Sequence, residues 1–196
     1  MIINIYPEIN AISNEIVSTR RDFHKHPELG FEEHRSAKII AEQLTDFGLD
    51  VEIGVGKTGV VGVLNPNHIG RTIALRADMD ALPIQEISSL EYTSQNDGVM
   101  HACGHDGHMA MLLGAAKILS KKAEAINGTV KFIFQPAEEG YGGAKYMIQD
   151  GVLNGVDEIY GAHLWNYQSY GTIGVKPGPV MAAADLFEIT IKGKGG

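Results

Sequence analysis

The chain has 196 residues, 16 Lys and Arg against 24 Asp and Glu, a formal charge of −8 and 44% hydrophobic residues, the make-up of an ordinary globular protein. A chain of this length buries roughly 70% of its unfolded surface without disulfide staples. Its single cysteine, Cys103, excludes an intrachain disulfide and points to a reducing compartment, where it is a small buried side chain, a reactive thiol or a metal ligand.

The acidic balance, with no basic stripe, argues against a nucleic-acid partner. The amino-terminal segment carries no Lys or Arg before Arg20 and so lacks the charged start of a signal peptide. The longest apolar stretch, Met109 to Ala116, falls far short of the ~20 residues that span a membrane. No membrane partner and a cytoplasmic location are therefore expected.

In chain order, Ile9, Ile12, Ile16 and Phe23 predict a helix over Glu8 to Phe23, with Pro27 ending the pattern. A second helix is expected from Glu33 to Phe47, stopped by Gly48. Strands follow at Asp50 to Ile53, Val60 to Leu64 and Thr72 to Ala77, with Asn65-Pro66-Asn67 breaking the second from the third. After a polar loop, His108 to Lys122 reads as a helix; then come a strand at Thr129 to Phe134, a helix at Gly143 to Gln149 and a strand at Glu158 to Ala162. This alternation predicts an α/β fold with a mostly parallel sheet and helices on both faces. Thr172 to Val175 and Leu186 to Ile191 read as two further short strands before the chain reaches Gly193-Lys194-Gly195-Gly196.

Three of the eight histidines fall in His101-Ala-Cys103-Gly-His105-Asp106-Gly-His108, beside the only cysteine. Thiolate, imidazole and carboxylate are the donors that bind zinc and its neighbours, and the glycines let Cys103 and His105 face one point. The plainer reading is a polar loop with Asp106 capping the next helix, a task that needs one of these residues and not five. Glu138 and Glu139 follow the strand TVKFIF, Asp78 and Asp80 follow TIAL, and His163 follows EIYGA. Three apolar strands that each deliver such residues at the carboxyl end, where open sheets place their ligands, point to one shared metal site.

Two other patterns lead elsewhere. Gly54-Val-Gly56-Lys-Thr-Gly59 has the letters of a dinucleotide fingerprint, but the β-rich VVGVLNP follows it where a helix is required, so it reads as a hairpin turn. A thiol nucleophile at Cys103 would leave the carboxylate pair without a task.

The segments RRDFHKHPELGFEE, LRADMDALP, MHACGHDGHM, FQPAEEG and GAHLW, in this order and spacing, resemble the bacterial and plant amidohydrolases of the M20 metallopeptidase family. These include hippurate hydrolases, N-acyl-amino-acid amidohydrolases, auxin-conjugate hydrolases and N-acetyldiaminopimelate deacetylases. The resemblance implies two divalent metal ions, zinc or manganese foremost and nickel or cobalt also compatible. Cys103, His105, Glu139 and His163 would be ligands, with the thiolate bridging. Glu138 would be the general base, and Asp80 a carboxylate that orients a ligand without binding the metal. It assigns no step to His24, His26, His101 or Asp106.

The same resemblance implies hydrolysis of N-acyl amino acids. It divides the chain into a catalytic portion, residues 1–182, and the first strand of an inserted lid and dimerisation domain, residues 183–196, through which the full-length protein would form a homodimer or higher oligomer. A chain ending at Gly196 would lack the lid and a last ligand histidine and would be inactive; the alternative is a metal-binding remnant without catalysis.

Overall fold

The structure, a computed structural model, describes residues 6–182 and 187–195. It falls into two units, one up to Leu164 and one from Trp165.

The first unit is an α/β layer structure. Helix α1 (Pro7–Lys25) starts with proline in its first turn, where the missing N–H costs nothing. Helix α2 (His34–Asp46) has no cap from its own N-cap side chain. Glu28 serves instead: its carboxylate accepts the Arg35 and Ser36 N–H groups at 2.8 and 2.7 Å, satisfying two donors the first turn leaves open. Strands β1 (Asp50–Val55) and β2 (Gly59–Leu64) form an antiparallel hairpin whose turn is the glycine-rich GKTG, so this motif is a turn and not a nucleotide loop.

Strand β3 (Arg71–Asp78), helix α3 (His105–Ser120), strand β4 (Gly128–Gln135), helix α4 (Gly143–Gln149) and strand β5 (Glu158–Gly161) complete the unit, with a short 3-10 turn at Ala123–Ala125. The sheet order is β1-β2-β4-β3-β5. β3 runs parallel to both β4 and β5, while β2 is antiparallel to β4. The parallel core therefore has a single carboxyl edge, shared by β3, β4 and β5.

Alternation along the strands separates two cores. Phe132 and Phe134 of β4 and Val60 and Leu64 of β2 pack with Ile40 and Leu44 of α2, Met109 and Leu113 of α3, and Phe23 of α1. On the opposite face Val61, Ala74 and Ile133 pack with Met147 of α4. Covering on both faces explains why β4 is buried at every position except Lys131. At Gly62 a Cβ would lie 3.0 Å from Leu44, so the glycine lets α2 sit close on the sheet.

The expected start of α3 needs correction, and the alternative reading of Asp106 as its cap falls away. Helix α3 begins at His105, a turn before the expected His108, and Asp106 is not its cap. Gly104 takes that place at φ +85°, its carbonyl accepting from Gly107 and His108 at 3.0 and 3.2 Å, while Asp106 lies inside the first turn, facing the positive helix end.

In the second unit, no strand forms at Thr172 to Val175 or over residues 187–191, and Leu186 lies outside the described residues. Every described residue from 165 to 195 is exposed. Among them no neighbouring strand accepts the backbone bonds, and an unpaired strand is not stable in water. The Trp165 and Tyr167 rings lie 6.0 Å apart between centroids within this unit, tilted by 55°. No helix among the described residues is long and apolar enough to cross a membrane.

Candidate metal centre

The parallel core delivers its polar residues to one place. β3 ends in Asp78, with Asp80 two residues on; β4 runs into the turn of Glu138 and Glu139; β5 runs into His163. The α3 start, with Cys103 just before it, completes the cluster.

His105 is fully buried at its centre. Its Nδ1 is 2.8 Å from the Asp80 carbonyl, which can only accept, so Nδ1 carries a proton and Nε2 faces inward. That Nε2 has no hydrogen-bond partner although it is buried, and it lies 3.6 Å from Asp78 and 3.9 Å from Glu139 Oε1. Glu139 Oε1 is also buried without a partner. The Glu139 backbone N–H donates to Asp80 Oδ2 at 2.8 Å, so one aspartate holds both His105 and the glutamate turn. Cys103 Sγ is 3.4 Å from His163 Nε2.

Donor atoms of Cys103, His105 and His163 lie within 4.8 Å of one another; so do those of His105, Glu138 and Glu139, and those of Asp78, His105 and His108. All six residues assigned from the sequence, Asp80, Cys103, His105, Glu138, Glu139 and His163, are thus brought to one cluster.

Asp78 and His108, which the sequence places in the strand-end and histidine-cysteine clusters without a role of their own, are also members. The Leu164 N–H donates to His108 Nε2 at 2.9 Å, so the proton sits on His108 Nδ1, which meets Asp78 at 2.5 Å. The signals were present: His108 lies three residues after His105 on one helix face, and Asp78 alternates with Asp80 at the strand end. His24 and Asp106 form a separate buried group. His24 Nδ1 meets Asp106 at 2.7 Å and Nε2 meets Glu86 at 3.2 Å, while Arg20 reaches Asp106 at 2.7 Å. His26 bonds its own helix through the Asp22 carbonyl. His101 is buried with neither ring nitrogen bonded, and burial pulls it down to about 4, so it is neutral.

The electrostatics call for a cation. Burial and the carboxylates of Glu139, Glu138 and Asp78 push the Cys103 thiol up to about 12. Burial lowers His105, but the Asp80 bond and the charges of Asp78, Asp80 and Glu139 outweigh it and leave the imidazole raised. Glu138 is raised by burial and by Glu139 and Asp78. Asp78 is pushed up by burial, yet His108, His105 and Arg76 hold it below the ordinary carboxylate range. Soft and hard donors converge here, two of them buried and unpartnered, in a field that a divalent cation would neutralise. The residues present fit a metal.

The sequence profile described as peptidase family M20/M25/M40 matches residues 74–195. The chain is 49% identical over 192 residues to thermostable carboxypeptidase 2 of Saccharolobus solfataricus, covering 96% of this chain and 49% of that protein. It is 49% identical to the N-acyl-L-amino acid amidohydrolase of Geobacillus stearothermophilus, covering 96% and 51%. It is 46% identical to the hippurate hydrolase of Campylobacter jejuni, covering 98% and 50%. Among solved structures, the YxeP protein of Bacillus subtilis, described as a dinuclear metal-binding peptidase of the M20 family, superposes with a TM-score of 0.82 at 45% identity, covering 87% of this chain and 48% of that one. The chain spans about half the length of the curated relatives it matches.

Proposed function

The chain belongs to peptidase family M20/M25/M40, and from that membership we propose that the whole protein is a two-metal amidohydrolase cleaving the amide bond of N-acyl amino acids. The observation that carries the proposal is the convergence on one sheet edge of the donor groups of Cys103, His105, Glu138, Glu139 and His163, with His105 Nε2 and Glu139 Oε1 buried and unpartnered. Relatives named for N-acyl-amino-acid, hippurate and carboxypeptidase activities support the substrate class.

Cys103, His105, Glu139 and His163 would hold two divalent ions. Divalent ions held there would supply Lewis acidity. The chain's own residues do the rest. Asp80 keeps His105 Nε2 and the Glu139 carboxylate turned inward. Glu138, the more exposed of the glutamates and raised above its ordinary value, takes the proton of the attacking water on its carboxylate and returns it to the departing amine.

In the whole protein, Glu138→Gln should leave metal content by atomic emission unchanged and lower hydrolysis of N-benzoylglycine and N-acetyl amino acids by at least roughly 10²–10⁴-fold. Undiminished turnover would remove Glu138 from the base role, and turnover in the metal-free protein would defeat the metal reading.

A further inference from the structure

The segment Leu29-Gly-Phe-Glu-Glu33 has no role in the chemistry above, yet it underlies the glutamate turn. Glu33 is a carboxylic side chain with no solvent exposure. Its Oε2 accepts from Thr58 Oγ1 at 2.5 Å, and its Oε1 accepts the Ala137 N–H at 2.8 Å, across 104 residues of sequence. Ala137 immediately precedes Glu138, is fully buried and has φ +51°, a left-handed conformation that is strained for a residue carrying a Cβ. Its carbonyl accepts Gly143 N–H at 2.9 Å, and Gly30 lies so close that a Cβ there would meet Ala137 at 3.1 Å.

A carboxyl group buried this deeply, and raised by that burial, is a poor choice for packing alone. Its position is accounted for by the backbone it holds. We infer that Glu33 is a positioning residue: by binding the Ala137 amide it locks Ala137 in the left-handed conformation and so aims Glu138 and Glu139 into the metal centre. The inference rests on the metal reading for its purpose, though the locking itself does not.

Three variants of the chain test it, with zinc alone as the probe. Glu33→Gln keeps an acceptor for the Ala137 N–H and a partner for Thr58, and should retain zinc affinity within about threefold. Glu33→Leu removes both bonds; zinc affinity, measured against a competing chelator at a temperature where circular dichroism shows a folded chain, should fall roughly 10–100-fold. Hydrogen exchange of the Ala137 amide, followed by NMR without metal, should accelerate at least tenfold. Adding Ala137→Gly to Glu33→Leu removes the conformational penalty and should recover zinc affinity at least threefold.

A folded Glu33→Leu chain with parental zinc affinity and Ala137 protection overturns the inference, as does a double variant no better than the single one. If Glu33→Leu does not fold, Glu33→Asp, one methylene too short to reach both Thr58 and the Ala137 amide, decides: Ala137 exchange should still accelerate, and unchanged exchange overturns the inference. A parental chain that binds no zinc defeats the metal reading instead, while Ala137 exchange still judges Glu33.

Discussion

His24 lies between the Asp106 and Glu86 carboxylates, whose contacts with its two ring nitrogens favour the protonated imidazole, against the opposing charge of Arg20. The Asp106 bond is the largest cause of its raised pKa, working against burial. A histidine raised on folding contributes stability that is complete below its ordinary value of about 6.5 and lost as pH rises through its folded value. Urea unfolding at a series of pH values should show midpoints that fall across that window, and His24→Gln should flatten the fall; an unchanged slope would assign it to other groups. Asp80 makes the second residue-scale case. Asp80→Ala takes away the acceptor for the Glu139 amide but leaves the backbone carbonyl that orients His105. Zinc affinity should drop roughly 10–100-fold in a chelator competition without loss of the His105 contribution, so that His105→Ala added to it weakens binding further.

Among the elements, α4 meets the glutamate turn most tightly. A Cβ at Gly143 would lie 1.7 Å from the Pro136 carbonyl oxygen, a clash the backbone must move to relieve. Gly143→Ala, which elsewhere in a helix would be mildly favourable, should here cost about 1–3 kcal/mol, seen as a Tm lower by roughly 2–12 °C. A Tm at or above the parental value would show that the turn yields easily. The helices and strands up to Gly161 were legible because apolar periodicity and glycine or proline stops agree with one another. Which residues of α4 and β4 face one another was not legible: the packing of Met147 on Ile133 appears only in the folded chain. The α3 start was misread because His105 and Asp106 look like loop residues, whereas the left-handed Gly104 lets the helix begin beneath them. The site residues were legible as strand-end carboxylates and a His-Cys cluster. Glu33 was not: a buried carboxylate whose partners are a threonine and an amide 104 residues away leaves no local pattern.

At the scale of the molecule, the contrast between the two units is one of burial. Residues 165–182 and 187–195 expose Trp165, Tyr167, Tyr170 and Phe187, all substrates for chymotrypsin, whereas Phe23, Phe132 and Phe134 have no exposure at all. Brief digestion of the chain should cut within the second unit and leave a fragment ending near residues 165–170, identified by intact mass; early cuts at Phe23, Phe132 or Phe134 would contradict the burial pattern. The sheet order has a further consequence. β3 lies between β4 and β5, and its pairing with β5 joins Ile73 to Glu158. On a ribosome, synthesis proceeds from the amino end, so Cys103 and His105 emerge 60 and 58 residues ahead of His163. During that interval first β4 and then β5 must arrive to pair the two flanks of β3, and until His163 follows the thiol lacks its last neighbour. In the proposed metalloenzyme the full ligand set would therefore be available to a metal only after His163 has emerged, late in the birth of the protein.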